Sequence, residues 1–373
     1  MKRDDATVRD ETAADVGAIA GVTEAAFRTL ALSRHTEHFI IAVLRAVDAL
    51  TLSLVAEEAG CVVGHIAFSP VIVSDGTPGW YGLGPVSVLP ERQGRGIGGS
   101  LIKGGLARLG ALGARGCCLV GHPDYYPRFG FRNAEGLGVD GVPPEAFFVL
   151  PFDGPVPRGT VRFHEAFGAD ARRVRDIVRH HDPVPGVNPW VHGGPREEKI
   201  EVVPYDPGWP ALFERLAGDI RAALGGAALA LEHVGSTAVP GLEAKPVIDI
   251  DLAVEDPDRE DAYVPRLEKI GYDLTIREPH WHRHRCFRLD APRANLHVFA
   301  PGCPETVRHL LFRNRLRRYP DERELYARAK RAAGPGARSV EEYNRAKQAV
   351  IREIYDRAFR AAGLILGPGD DRV

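Results

Sequence analysis

The sequence predicts an α/β (α+β) chain in two domains. The first is a mixed sheet flanked by helices, and the second bears strands and ends in a helical part. Three observations carry this. A glycine-rich turn joins a strand pattern to a helix pattern at Leu83–Leu101 (LGPVSVLPERQGRGIGGSL). A Pro/Gly-rich stretch at 151–195 then interrupts the periodic segments, and an apolar strand carrying Asp249 and Asp251 follows in the second half. The length of 373 residues suits two domains and the 44% hydrophobic content can fill their cores.

In chain order, Thr12 and Asp15 open the first helix as a capping box. Val16, Ile19, Ala20, Thr23 and Phe27 continue it at helical spacing. Thr51–Ala56 and Cys61–Val73 read as strands joined by a turn at Glu57–Gly60. The strand through Val86 and Val88 leads by Pro90 and Glu91 into the glycine turn, and Leu101, Ile102, Leu106 and Leu109 form the next helix. Cys117–Val120 and Thr160–His164 read as further strands. A basic helical piece spans Asp170–His180, and breakers stand at Pro183–Gly186 and His192–Pro195. The expected organisation is a domain over 1–168, a linker over 169–198, a second domain over 199–363 and a tail over 364–373. In the second domain Ile200–Pro204, Leu229–Val234 and Pro246–Val254 read as strands and Trp209–Ile220 as a helix. Helices run from Glu305, broken at Pro320 and Gly334–Gly336, with a second capping box at Ser339 and Glu342.

The formal charge of −2 calls for neither nucleic acid nor an acidic membrane. Five cysteines without a C-x-x-C pair argue against a zinc ribbon or a disulfide framework. Without an apolar leader at the start, a reducing cytoplasm is the expected compartment.

Gly94, Gly96, Gly98 and Gly99 surround Gln93 and Arg95 at a helix start, where unpaired N–H groups and the helix dipole favour a pyrophosphate. No Gly-Lys-Ser or Gly-Lys-Thr follows, so this is not a P-loop. The order Gln93-Gly94-Arg95-Gly96-Ile97-Gly98, with Tyr125-Tyr126-Pro127-Arg128-Phe129-Gly130-Phe131 later, resembles the GNAT superfamily of acetyl-CoA-dependent N-acyltransferases over roughly residues 5–168. The resemblance implies acetyl-CoA bound by the backbone of Val86, Val88, Gly94, Arg95, Gly96, Ile97, Gly98 and Gly99, with Gln93 and Ser100 also among the cofactor-binding residues. It implies Tyr126 as the acid that protonates the leaving thiolate. Glu91 beside the turn, His65 on a strand and ordered water are the candidates for the base. Arg92 and Arg95 are placed to meet phosphates. Gly121-His122-Pro123-Asp124 stands where many relatives carry Asn.

In the second half, Asp249 and Asp251 share one strand face after a Gly235-Ser236 turn. Two carboxylates make a hard oxygen site suited to Mg²⁺ carried by a nucleotide. The pattern resembles polymerase-beta-like nucleotidyltransferases. The segments Val203–Pro210, His233–Leu242 and Lys245–Asp251 resemble the GrpB family over about 200–360. The later strand Asn295–Phe299 offers His297 where a third carboxylate is usual, which predicts nucleotide binding more readily than transfer. Lys245, Arg313 and Lys347 are the cations expected at a phosphate. Lys347 falls inside the apolar stripe of Tyr343, Val350 and Ile354. On the helix carrying Arg308, Arg313, Arg315, Arg317 and Arg318, a solvated face is the plain reading. His280, His282, His284 and Cys286 alternate as if on one strand face, either a transition-metal site or a solvent-facing or anion-binding face, with no carboxylate evident nearby.

The function expected is N-acetyl transfer to an amine, with a nucleotide- or phosphate-binding second domain. The alternative is a nucleotide-binding regulatory protein with a vestigial acetyltransferase. Expected partners are a small-molecule or peptide amine and a nucleoside triphosphate, and a homodimer is compatible with the sequence.

Overall fold

The computed structural model describes residues 6–28, 30, 33–179, 188–194, 201–334 and 340–365, with no side-chain description at 340 and 341. The described residues fall into two compact units, one within Met1–Arg175 together with Phe359–Val373, the other within Asp176–Ala358. Both are α/β, with mixed sheets flanked by helices. The breakers at 183–186, Pro195, residues 335–336 and the capping residue Ser339 lie outside the described residues.

The first unit runs β1 (Thr7–Asp10), α1 (Val16–Phe27), α2 (Glu37–Ala46), β2 (Leu52–Glu58), β3 (Cys61–Pro70), β4 (Ile72–Val73), β5 (Trp80–Val88), α3 (Ile97–Ala111), β6 (Gly116–Val120), β7 (Leu137–Gly138), β8 (Phe147–Pro151) and β9 (Gly159–Arg162). Its main sheet has the order β1-β2-β3-β5-β6-β8, antiparallel except for the parallel β5–β6 pair. Alternation along β2 sorts the two layers. Leu54 and Ala56 join Ile97, Leu101 and Ile102 of α3, while Val55 packs with Ile19 of α1 and Ile41 of α2. The Asp15 carboxylate accepts from the Thr12 N–H and hydroxyl at the first helix start and also receives Arg9. The strand expected over Cys61–Val73 is two strands. It stops at Pro70, which has no N–H for the ladder, and Ile72–Val73 pairs with β9 in a separate small sheet, β4-β9-β7. A basic helix, α4 (Ala171–Val178), runs across the boundary, with Asp176–Val178 belonging to the second unit.

The second unit runs α5 (Trp209–Leu224), β10 (Ala230–Val234), β11 (Ile248–Ala253), α6 (Val264–Lys269), β12 (Asp273–Glu278), β13 (His284–Asp290), β14 (Arg293–Phe299), α7 (Pro304–Arg318), α8 (Pro320–Ala333) and α9 (Val340–Ala362), the last extending past Ala358. Its sheet order is β10-β11-β14-β13-β12, with only β11–β14 parallel. Ile248, Ile250 and Leu252 pack on Phe213, Leu216 and Ile220 of α5. The opposite face of β11 therefore carries Asp249 and Asp251. Val203 makes a single bridge to Ala244 and extends no strand.

One expectation is corrected. His280, His282, His284 and Cys286 do not share a strand face. β13 begins only at His284, because His282 and Arg283 adopt left-handed backbone (φ 53° each) and turn the chain. A carboxylate is also close, for Glu278 on β12 lies opposite His284.

Candidate functional site

Parallel β5 and β6 pair only from Trp80–Gly116 to Gly82–Cys118. β5 continues to Val88 and β6 to Val120. The two strands thus part, and the β6-facing edge of β5 beyond Gly82 has no strand partner there among the described residues. Backbone groups on such an edge can pair with an extended ligand carrying amides. At the end of β5 the Pro90–Arg92 turn leads into the head of α3. Gly94 (φ 73°) and Gly96 (φ 88°) are left-handed, a conformation costly for other residues. Nothing lies within 4 Å of where a Cβ would stand on either. The turn is therefore open toward the N–H groups of the helix head. The half-buried side chains of Val86 and Val88 pack beneath it, and the Gln93 side-chain amide donates to the Val88 carbonyl at 3.1 Å.

Tyr125, Tyr126 and Phe129 close one side. The Tyr125 hydroxyl stands 3.1 Å from the position of a Cβ on Gly98, and Phe129 lies over Gly99. Arg128 stacks on Tyr125 at 4.4 Å. Tyr126 meets Tyr125 edge-on, with Phe131 and Phe148 around it. Burial, with Tyr125 adding to it, pushes the Tyr126 phenol up to about 12, so it keeps its proton at neutral pH. Gly121 makes room for this ring, since a Cβ there would fall 2.2 Å from Cε2.

Other expected residues are placed as follows. Glu91 and Ser100 are exposed. Arg92 and Arg95 both pair with Glu58 of β2, at 2.6 and 2.7 Å. His65 is fully buried, hydrogen-bonded to the Ser53 hydroxyl at 2.8 Å. Burial lowers it to about 3, against the pull of Glu11.

In the second unit Gly235 (φ 69°) lies against Asp249, whose carboxylate occupies the space a Cβ would need. Asn295 Nδ2 donates to Asp249 Oδ1 at 2.9 Å. Burial raises the Asp249 carboxyl, opposed by that bond and by Lys245 and His309. The turn is held by His233, stacked on Phe213 and hydrogen-bonded to Thr237, which donates to the Val247 carbonyl.

Cations gather around Asp249. Lys347 is 6% exposed and rests 4.0 Å from the Tyr343 ring centroid, with no hydrogen bond to another described residue. Burial and the neighbouring charge of Lys245 lower it to about 8. Lys330, more deeply buried, donates to the Glu243 carbonyl and is lowered to about 7 by burial and then Lys347. Arg313 is tied to Glu232 and the His233 carbonyl of β10. The α7 arginines are not simply solvated. Arg308 is buried and donates to the Ile177 carbonyl, Arg315 is paired with Glu322, and Arg317 donates to the Ala238 carbonyl.

Sequence reasoning missed His309 on α7. Its Nδ1 lies 2.9 Å from Asp251 Oδ2, and Nε2 3.5 Å from Glu305. Burial works against its charge, yet the Asp251 and Glu305 carboxylates hold it up at about 9. The Glu305–His309 spacing of one helical turn was the available signal.

These two sites define a chain with an acyltransferase-like unit and a second unit built around a Gly-Ser turn and buried carboxylates. The family model for the acetyltransferase (GNAT) domain matches residues 50–133, and that for GrpB protein matches 199–357. The UPF0157 protein BH1888 of Halalkalibacterium halodurans is 50% identical over 165 residues, covering 44% of this chain and 85% of that protein. A GNAT family acetyltransferase from Brucella melitensis, solved in complex with acetyl-CoA, is 52% identical. That match covers 44% of this chain and 99% of the other, with a TM-score of 0.40. Conserved protein GrpB from Enterococcus faecalis is 32% identical, covering 43% of this chain and 98% of the other, with a TM-score of 0.39. The chain belongs to the GrpB family through its second unit, and its first unit carries a GNAT acetyltransferase domain.

Proposed function

We propose that the first unit transfers an acetyl group from acetyl-CoA to a small-molecule or peptide amine. The parting of β5 and β6 beside the open glycine turn carries this reading. Acetyl-CoA would supply a thioester carbonyl and a thiol leaving group. The N–H groups of Gly94–Gly99 bind its pyrophosphate, the Ser100 N–H being already given to the Gly96 carbonyl at 3.0 Å, and the edge of β5 around Val86 and Val88 orients the amide-bearing arm. Tyr126 holds a proton on Oη and delivers it to the departing sulfur as the C–S bond breaks. Glu91, exposed at the turn, takes the proton the amine loses as its nitrogen bonds the acetyl carbon. His65 is reserved to the core, being buried and bonded to Ser53. Calorimetry with coenzyme A on wild type and Gly96→Asp tests the cradle. The variant places a carboxylate and a strained backbone against the pyrophosphate, and equal affinity would sink the assignment.

We infer that the second unit, nucleotidyltransferase-like, binds a nucleoside triphosphate with Mg²⁺ at Gly235, Ser236, Lys245, Lys347 and Arg313. Asp249 and Asp251 are the proposed metal ligands. The observation behind it is the buried Lys347 ammonium without a hydrogen-bonded acceptor among the described residues. Binding without transfer is favoured because His309 already holds both oxygens of Asp251. The alternative, a nucleotide-binding regulatory protein with a weak acetyltransferase, is separated by acetyl-CoA turnover against an amine panel.

A further inference from the structure

We propose that the second unit holds a transition-metal ion, of the Zn²⁺ or Co²⁺ kind, on His284, Cys286 and His297. This site is separate in chemistry from the hard-oxygen Mg²⁺ site and does not depend on nucleotide binding. His284 and Cys286 alternate on one face of β13, and His297 lies directly opposite Cys286 on β14. One ligand atom from each of the three lies within 4.8 Å of the others. The His284 Nε2 and His297 Nδ1 atoms are 3.1 Å apart. Two nitrogens bound to one tetrahedral ion at about 2.0–2.1 Å stand at nearly that separation.

A second, independent feature prepares the site. His284 Nδ1 lies 2.8 Å from Glu278 Oε2, on the strand rung directly across. A carboxylate accepting from Nδ1–H leaves the lone pair on Nε2, the atom that faces His297. Metal-bound imidazoles are commonly oriented by such a carboxylate. Trp281 meets the His284 ring edge-on and Phe299 stacks on it, giving the site an apolar wall. His284 and Cys286 are 4% and 6% exposed, and Cys286 is a free thiol.

Ligation is balanced by proton release. Cys286 gives up its thiol proton to solvent, and the His297 Nδ1 proton moves to Nε2 or to solvent as Nδ1 takes the metal. Two imidazoles and a thiolate select a borderline or soft ion over Mg²⁺. Three protein ligands leave a fourth position for water.

The test is Co²⁺ titration of the full-length, metal-stripped protein, read by absorbance. Stoichiometric binding should give visible d–d bands and a near-ultraviolet thiolate-to-cobalt band, displaced by Zn²⁺ and untouched by excess Mg²⁺. Cys286→Ser should abolish the thiolate band, whereas Cys61→Ser, which removes the exposed cysteine, should preserve it. Glu278→Gln removes no ligand and should weaken affinity about 10–100-fold. It reports on the site even if Cys286→Ser folds poorly. Asp249→Asn should keep the spectrum, so the outcome is independent of the nucleotide reading. Absence of a thiolate band in wild type, or its survival in folded Cys286→Ser, overturns the proposal, as does unchanged affinity in Glu278→Gln.

Discussion

Gly121→Ala places a methyl group against the proposed acid of the acetyl transfer. The added Cβ would stand 2.2 Å from Tyr126 Cε2 and 2.9 Å from Cδ2. Ordinary contact begins near 3.4 Å, so the ring must retreat by about 1 Å, a displacement that can cost about 10²-fold in rate. The ring has little room to turn, with Tyr125, Phe131 and Phe148 at centroid distances of 5.1, 6.1 and 6.2 Å. A 10²-fold loss corresponds to about 2.7 kcal/mol of barrier. The glycine turn at Gly94–Gly99, the proposed pyrophosphate site, is untouched, so coenzyme A affinity should change little. The assay is thiol release from acetyl-CoA with an amine panel, paired with calorimetry. Tyr126→Phe should lower kcat by about 10²–10⁴-fold, as for loss of a general acid. The Gly121→Ala/Tyr126→Phe double variant should be no slower than Tyr126→Phe, since both act through one proton. A wild-type rate in Gly121→Ala, or fully additive losses in the double variant, would refute the link between this glycine and the acid.

Three further outcomes follow from the geometry. His65 is neutral in the folded chain down to about pH 3 but titrates near 6.5 when unfolded. The unfolded state therefore binds the extra proton between these values, and stability should fall as pH drops from 6.5 toward 3, by on the order of 4 kcal/mol from this group; denaturant titrations at pH 7 and 4 should show a smaller acid loss in His65→Gln, and an equal loss would count against it. Gly105→Ala should destabilise the first unit by about 1–3 kcal/mol despite alanine's better helix propensity, because its Cβ would fall 2.3 Å from Phe68, and a raised denaturation midpoint would contradict this. A triphosphate with Mg²⁺ at a hundred times its Kd should stabilise the second unit by about 2.7 kcal/mol in a thermal-shift assay, with the effect reduced in Lys347→Met and Asp249→Asn, and equal shifts in the variants would remove the site from these residues.

Local chemistry was legible wherever it was written in consecutive residues. The strand, glycine turn and helix at Leu83–Leu101 could be read because three periodicities meet there without a break. What escaped was set by tertiary pairing. The centre of α2, Phe39–Leu44, is an unbroken apolar run buried throughout, and so short a run reads as strand or helix alike. The parting of β5 from β6 depends on register with a strand about thirty residues away and leaves no mark in composition. The His-Cys alternation at 280–286 promised one long face, but left-handed His282 and Arg283 cut it short. The residue completing the cluster, His297, sits on a different strand, and Glu278, the carboxylate that orients His284, precedes the break.

The second unit's charges argue for a binding role over nucleotidyl transfer. Transfer by a two-carboxylate site needs both anions available to metal, with a further base for the attacking hydroxyl. Here Asp251 is bonded through both oxygens to an imidazole that its own charge and that of Glu305 keep protonated. Asp249 is bonded to Asn295 and flanked by Lys245, and Asn295 and His297 occupy the rungs beside the two aspartates. Neither of these neighbours adds a negative charge to replace the usual third carboxylate. The lysines near Asp249, by contrast, are partly desolvated and repel one another, as Lys330 and Lys347 show, each lowered first by burial and then by a neighbouring lysine. A dianionic or more highly charged phosphate relieves that repulsion on arrival, while a bare divalent cation adds to it. Ligand affinity in this unit should therefore follow phosphate charge first and Mg²⁺ second.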